Sequence, residues 1–181
     1  MSADTPPRLA AVKYQRGFDI NPLIFGVVAD LKQRRHQIGG VLQQAESADD
    51  CARLMVVDIR TGERAVITQD RGKESAGCKL DPRGLADISH CINDAIAAGV
   101  ELIIINKFGR AESEGAGLLT SFADAMIAEI PLLTTVREPY LDAWQSFHGG
   151  YATELPPRFE AIVSWCANSC RKASHQSIAT T

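Results

Sequence analysis

Short, uninterrupted apolar runs alternate along the chain with segments whose apolar residues recur at helical spacing. The clearest run is Leu102–Ile105, and a short run of branched apolar residues predicts a strand buried on both faces of a parallel sheet. Helical spacing is clearest at Ile24, Val27, Val28 and Leu31, which fall at i, i+3, i+4 and i+7 and predict an amphipathic helix. Further strands are predicted at Leu9–Tyr14, Ile38–Gln44 and Ile130–Val136.

Glycine and proline set the limits of the predicted helices. Asn21 and Pro22 fit the N-cap and N1 positions of the first helix. Gly99 closes the second helix, and Gly149-Gly150 closes the fourth. The helices are predicted at 21–35, 85–96, 117–129 and 139–147, with a last one after Pro156-Pro157.

One segment breaks this alternation. Between Cys51 and Gln69, two β-rich runs flank a turn at Thr61-Gly62, which predicts an antiparallel hairpin. Elsewhere, strands alternating with helices predict parallel βαβ units. The fold class is therefore α/β: a three-layer, mainly parallel sheet with a β-hairpin insertion at one edge. The strands that contain Leu9, Ile103 and Leu132 should be neighbours.

Length and composition narrow the class of protein. At 181 residues the chain fits a single domain, 1–181, and we expect 1–8 and 174–181 to be flexible. A net charge of −3 disfavours nucleic acid or an anionic membrane as a partner, and nothing in the sequence identifies a protein partner. The sequence has no apolar run of about 18 residues and no signal peptide, so we expect a cytoplasmic protein.

The five cysteines, an odd number, are expected to be reduced thiols. Cys166 and Cys170 lie four residues apart, on one face of the last helix, where they are either small apolar side chains or a metal-binding pair. We favour the first interpretation, and predict no metal site, because no Cys/His pair lies nearby in sequence. Cys78 lies in a glycine-rich loop, but the sequence places no histidine beside it to activate a nucleophile.

The turn after the first strand, "YQRGFDIN", is where a phosphate-binding α/β fold carries its glycine-rich loop. It lacks G-x-x-x-x-G-K-S/T, and with it the lysine and the hydroxyl that serve phosphate and magnesium. Arg16 and Gly17 supply a cation and a residue free to adopt positive φ. Asp19 and Asn21 weigh against an anion there, so a plain turn and an anion site both stay open.

The strand Leu102–Ile105 continues into Asn106 and Lys107 and is predicted to break at Phe108-Gly109 into a loop. The carboxyl end of a parallel strand is where ligands meet such sheets. The loop also carries Glu112 and Glu114. Lys107 therefore either faces a ligand or forms a loop-fixing ion pair with one of these two glutamates.

The order of these elements resembles the cancer-related-type nucleoside triphosphatases of the P-loop class, over roughly residues 9 to 136. In that family the strand ends in Asp-Glu, followed by apolar-Gly-Lys, Met and Glu. Here Asn106 stands for the Asp, Lys107 for the Glu, Gly109 for the Gly, Arg110 for the Lys and Glu112 for the final Glu. The resemblance implies a P-loop NTPase-like fold whose departures fall on the catalytic parts.

A closer resemblance is to a bacterial family of unknown function, often encoded beside molybdate transport genes, that looks like a degenerate branch of those triphosphatases. Its signatures are "QDRG" (69–72), "GCKLDP" (77–82), "NKFGRAESEG" (106–115) and "ELPP" near the C-terminus. This resemblance implies a protein that serves molybdenum handling and is not a conventional triphosphatase.

These residues together lead to one hypothesis and two alternatives. The hypothesis is a protein that binds an oxyanion (molybdate, phosphate or sulfate) or a nucleotide phosphate without a metal and with little or no hydrolysis, Lys107 supplying positive charge. The first alternative is an active triphosphatase with Lys107 on the phosphates and Glu112, the candidate catalytic residue, orienting water. The second is a regulatory or scaffold protein with a vestigial crevice. The candidate ligand-binding residues are Arg16, Gly17, Asp70, Arg71, Asn106, Lys107 and Gly109, with Asp70–Arg71 alternatively a local salt bridge.

Overall fold

The computed structural model describes residues 8–45, 54–67 and 82–176. Within these ranges the strands and helices alternate as the apolar pattern predicts. The strands are β1 (Leu9–Tyr14), β2 (Ile38–Ala45), β3 (Leu54–Asp58), β4 (Arg64–Val66), β5 (Leu102–Phe108), β6 (Leu132–Arg137) and β7 (Ala152–Leu155). The helices are α1 (Asn21–Gln33), α2 (Pro82–Ala97), α3 (Arg110–Ser113), α4 (Leu119–Ile127), α5 (Leu141–His148) and α6 (Phe159–Gln176), with a 3₁₀ turn at Glu138–Tyr140.

The strands form one seven-stranded sheet in the order β4-β3-β2-β5-β6-β1-β7. Strands β2, β5, β6, β1 and β7 run parallel, whereas at one edge β3 pairs antiparallel with β2 and β4 pairs antiparallel with β3. Strand β6 lies between β1 and β5, so the predicted neighbourhood of these three strands is confirmed. The α/β class, the mainly parallel sheet and the hairpin at its edge are confirmed as well.

Helices cover both faces of the sheet, and β5 shows why. Leu102 and Ile104 face the core shared with α1 and α6, while Ile103 and Ile105 face the core shared with α2, α4 and α5. All four side chains are fully buried, each stabilising the fold by about 1.5–3 kcal/mol. None of the helices in the described part of the chain combines the length and apolar composition needed to cross a bilayer.

Two local predictions are corrected by the structure. Asn21 is not the N-cap: α1 begins at Asn21, Ile20 takes the cap position, and the Asn21 side chain bonds to the sheet instead. The predicted break at Phe108-Gly109 is confirmed as the end of β5, and Phe108 is a core residue that is 1% exposed. The one-turn helix α3 then follows directly after Gly109, where a loop was predicted.

Candidate functional site

The carboxyl ends of β1, β6 and β5 lie side by side and carry polar side chains. Tyr14 ends β1 and pairs in register with Arg137, which ends β6. Lys107 is the penultimate residue of β5, next to β6, where the register shifts between Ile105 and Phe108. Ligands of parallel α/β sheets bind at this edge, so these three residues define the candidate site.

The Lys107 ammonium lies in a partly buried, electropositive position. Burial lowers the pKa of Lys107, and the positive charge of Arg137 lowers it further, while the charges of Glu112 and Asp19 oppose the shift. Burial likewise raises the pKa of Tyr14, against the effect of Arg137. Two cations thus share one desolvated edge of the sheet, an arrangement that an anion would stabilise.

The two glutamates that could have formed a loop-fixing ion pair with Lys107 are both engaged elsewhere. Glu112 accepts hydrogen bonds from the backbone N–H of Gly109 (2.9 Å) and of Leu118 (3.0 Å), one on each carboxylate oxygen. Glu114 pairs with Arg110 at 2.8 Å. Within the described part of the chain, no carboxylate oxygen lies within 4.0 Å of the Lys107 amine.

The Glu112 side chain is hydrogen-bonded to the backbone of the segment after β5. It is buried and closes the turn from Gly109 through α3 to the start of α4. Gly117 adopts a φ of +65°, and a Cβ at that position would overlap Glu112 Oε1. Gly109 itself has a φ of −128°, an extended conformation open to any residue, and the Lys107 stem passes over it.

Asn106 lies in an internal network. Its carboxamide is fully buried, accepts a 2.7 Å hydrogen bond from the Thr135 hydroxyl and donates one of 3.2 Å to Asn21 Oδ1. These contacts join β5 to β6 and to the first turn of α1. Asn106 therefore positions the elements around Lys107, and its side chain points into the protein.

The turn between β1 and α1 lies outside this network. Arg16 and Gly17 are both exposed, and Gly17 adopts a φ of +89°, the conformation that favours glycine. Asp19 accepts a hydrogen bond from the Asn21 backbone N–H (3.1 Å) and so occupies the start of α1. An anion at this helix end would compete with that carboxylate.

Three of the predicted residues lie outside the described residues: Asp70, Arg71 and Cys78. The "QDRG" signature and nearly all of "GCKLDP" lie there too. His148 ends α5 and is 5% exposed, and its Nδ1 accepts a 3.0 Å hydrogen bond from the Gly150 backbone N–H.

Sequence reasoning missed Arg137, although the signal was present. Arg137 follows the buried run Leu132–Val136, much as Lys107 closely follows Leu102–Ile105. The Arg137 guanidinium carbon lies 5.6 Å from the centre of the Tyr140 ring, a cation–π contact that holds it near the strand end. The criterion that selected Lys107 would have selected Arg137 as well.

Aromatic packing anchors the end of β5 beneath the site. The Phe108 ring packs edge-on against Trp144, with centroids 5.2 Å apart, and against Phe122 at 6.0 Å. Phe147 joins the cluster at 5.8 Å from Phe108. Because Lys107 directly precedes Phe108, these contacts hold its backbone in place.

Comparisons with known proteins agree with this architecture. A family model described as "Protein of unknown function (DUF2478)" matches residues 9–165. The molybdenum import ATP-binding protein ModC 2 of Bradyrhizobium diazoefficiens is 38% identical over 162 residues, which are 88% of this chain but only 18% of that protein. The solution structure of a human cancer-related nucleoside triphosphatase matches with a TM-score of 0.63 at 12% identity, covering 89% of this chain and 94% of that one.

The structural match establishes the fold alone, that of a P-loop nucleoside triphosphatase-like domain. Together with the family match, it confirms the resemblance drawn from the sequence.

Proposed function

This chain belongs to the DUF2478 family of proteins of unknown function, and we propose that it binds a small oxyanion or the phosphate of a nucleotide at the carboxyl end of its sheet, with little or no hydrolysis. The observation that carries the proposal is that Lys107 is a partly buried cation beside Arg137. The two glutamates that follow Lys107 in the chain bond to backbone amides and to Arg110 instead.

Charge and geometry support an anionic ligand. A lysine ammonium offers three donors, an arginine guanidinium offers a planar fork, and both bind oxyanions through charge-assisted hydrogen bonds. Each such bond contributes about 1.5–3 kcal/mol net. Burial lowers the pKa of Lys107 and repulsion by Arg137 lowers it further, and a ligand that bridged the two cations would relieve this repulsion.

The relative's name supports two ligand classes. ModC 2 is described as an ATP-binding protein of molybdenum import, and this chain spans 18% of its length. Molybdate and a nucleotide are therefore the first ligands to test. A role in molybdenum handling is part of the proposal.

Binding without hydrolysis is favoured over a rebuilt triphosphatase site. Glu112 would have to release the Gly109 and Leu118 amides before it could orient an attacking water. Lys107 holds a strand position where its charge repels a divalent cation. The turn "YQRGFDIN" has neither the lysine nor the hydroxyl that ordinary phosphoryl transfer uses.

A thermal-shift screen of the full chain tests the proposal. Molybdate, tungstate, phosphate, sulfate, ATP and GTP are each added with and without magnesium. We expect at least one anion to raise the melting temperature without magnesium, because a ligand at 100 times its Kd adds about 2.7 kcal/mol of stability. Stabilisation only with a nucleotide plus magnesium would favour the triphosphatase, and no stabilisation by any anion would favour the vestigial crevice.

A further inference from the structure

At the opposite, amino-terminal edge of the sheet, three metal-ligating side chains converge from distant parts of the chain. His36 follows α1, Glu101 directly precedes β5, and Cys170 lies in α6. One ligand atom from each lies within 4.8 Å of the other two, and His36 Nδ1 is 3.6 Å from Glu101 Oε2. No Cys/His pair lies near Cys170 in the sequence, but the packing of α6 against α1 and β5 brings His36 and Glu101 to it.

We propose that His36, Glu101 and Cys170 bind a transition-metal ion of the zinc type. An imidazole nitrogen, a carboxylate oxygen and a thiolate sulfur are the donors such ions take, whereas calcium and magnesium prefer oxygen alone. The length of β5 separates this metal site from the candidate anion site.

The spacing of the donors suits a tetrahedral ion. Metal–ligand distances of about 2.0–2.3 Å place the donors of a tetrahedral zinc site about 3.3–3.8 Å apart. The 3.6 Å between His36 Nδ1 and Glu101 Oε2 lies in that range, and the Cys170 sulfur lies within 4.8 Å of a donor atom of each of these residues. Water would occupy the fourth position.

The surroundings hold the carboxylate and shelter the thiol. Glu101 Oε2 accepts a 2.7 Å hydrogen bond from the Gln37 backbone N–H, which fixes its orientation. Cys170 is fully buried, whereas the side chains of His36 and Glu101 are 18% and 24% exposed, so an ion can enter from solvent past these two.

Metal binding changes one protonation state. Burial, with the negative charge of Glu101, raises the pKa of Cys170 to about 12, so the metal-free protein holds a thiol. As the metal–sulfur bond forms, the S–H bond breaks and the proton leaves to solvent, with no change in oxidation state. The thiolate and the Glu101 carboxylate together balance the charge of a divalent ion, and His36 binds through its neutral Nδ1.

Cobalt(II) titration of the reduced, metal-free full chain tests the site, because thiolate ligation of cobalt produces a near-ultraviolet charge-transfer band. We expect the band to saturate at one equivalent. Cys170→Ala should lose it. The matched control is Cys166→Ala, a buried cysteine one turn earlier in α6, which should keep it. Circular dichroism checks that each variant is folded.

If Cys170→Ala does not fold, variants of the two partly exposed ligands, His36 and Glu101, still test the metal site. Glu101→Gln retains an acceptor for the Gln37 N–H but removes the charge, and we expect it and His36→Gln each to weaken cobalt binding at least tenfold. A wild-type protein without the band, a band unchanged in Cys170→Ala, or wild-type cobalt affinity in both Glu101→Gln and His36→Gln would each overturn the proposal. His36 and Glu101 would then be an ordinary ion pair beside a buried thiol.

Discussion

The Thr135 hydroxyl donates a 2.7 Å hydrogen bond to the side-chain oxygen of Asn106, and both residues are fully buried. This contact joins β6 to β5 one residue before Lys107. The same carboxamide also reaches Asn21 at the start of α1. One buried amide thus ties together three elements that surround the candidate anion site.

Thr135→Val should therefore destabilise the protein. The variant keeps the β-branched shape but leaves the Asn106 oxygen without its donor, a loss of about 1–3 kcal/mol in the free energy of unfolding. Urea denaturation measures it. Thr120→Val, at an exposed position of α4, is the control and should change stability by less than about 0.5 kcal/mol. Equal losses in the two variants would show that the hydrogen bond contributes nothing measurable.

Lys107→Ala should weaken anion binding by about 1.5–3 kcal/mol, roughly tenfold or more, because it removes a hydrogen bond to a charged group. Lys107→Arg keeps the charge but changes its shape, so an intermediate loss is expected. Calorimetric titration with molybdate, phosphate and ATP measures both. Lys32→Ala, at an exposed position of α1, should bind like wild type. If Lys107→Ala binds every ligand as tightly as wild type, Lys107 is not a ligand residue.

Purified protein should show little or no magnesium-dependent hydrolysis of ATP or GTP. The loop hydroxyl and the strand acid that usually hold magnesium are absent from "YQRGFDIN" and "IIINKF". Phosphate release, assayed with and without magnesium, measures turnover. A rate of about 1 per second or faster lies in the ordinary enzyme range and would establish the triphosphatase alternative.

Glu112→Gln should lower the free energy of unfolding by about 1–3 kcal/mol. Each carboxylate oxygen of Glu112 accepts a hydrogen bond from a backbone N–H. A glutamine side chain would place its NH₂ group, a donor, against one of these N–H donors. Glu114→Gln is the control and should leave stability nearly unchanged, because its ion pair with Arg110 is exposed and screened by solvent. A Glu112→Gln protein of wild-type stability that had lost a measurable hydrolytic rate would instead make Glu112 catalytic.

Stability should decline in mildly acidic solution through His148. Burial lowers the pKa of His148, with Lys13 adding to the shift and Glu154 opposing it. Protonation would also cost the hydrogen bond that Nδ1 accepts from Gly150. The unfolded chain therefore binds this proton at a higher pH than the folded chain does. The contribution is fully present above about pH 6.5 and is lost as the pH falls toward the folded pKa, by at most about 1.4 kcal/mol per pH unit.

Urea denaturation between about pH 5 and 7.5 measures this dependence. His148→Gln should flatten the slope of stability against pH, whatever its effect at neutral pH. His90→Gln, at an exposed position of α2, should leave the slope unchanged. A slope that His148→Gln does not alter would assign the acid sensitivity to other groups.

The sequence by itself determined the features that repeat locally. The spacing of Ile24, Val27, Val28 and Leu31 defines one face of α1, and the short run of branched residues Leu102–Ile105 predicts a strand covered on both sides. The same run places Lys107 at the carboxyl end of the sheet. Such predictions succeed because side-chain direction follows from the helical or strand repeat, which neighbouring residues reveal.

Only the tertiary structure decided which side chains meet. Asn106 bonds to Thr135, 29 residues away, and to Asn21, 85 residues away, so a residue expected to contact ligand lies in an internal network. Glu112 bonds to nearby amides, but that contact required a helical turn after Gly109 that the charged sequence did not predict. His36, Glu101 and Cys170 come together only when α6 packs on α1 beside β5. Strand order and register set these contacts, and neither is encoded in the local alternation of apolar and polar residues.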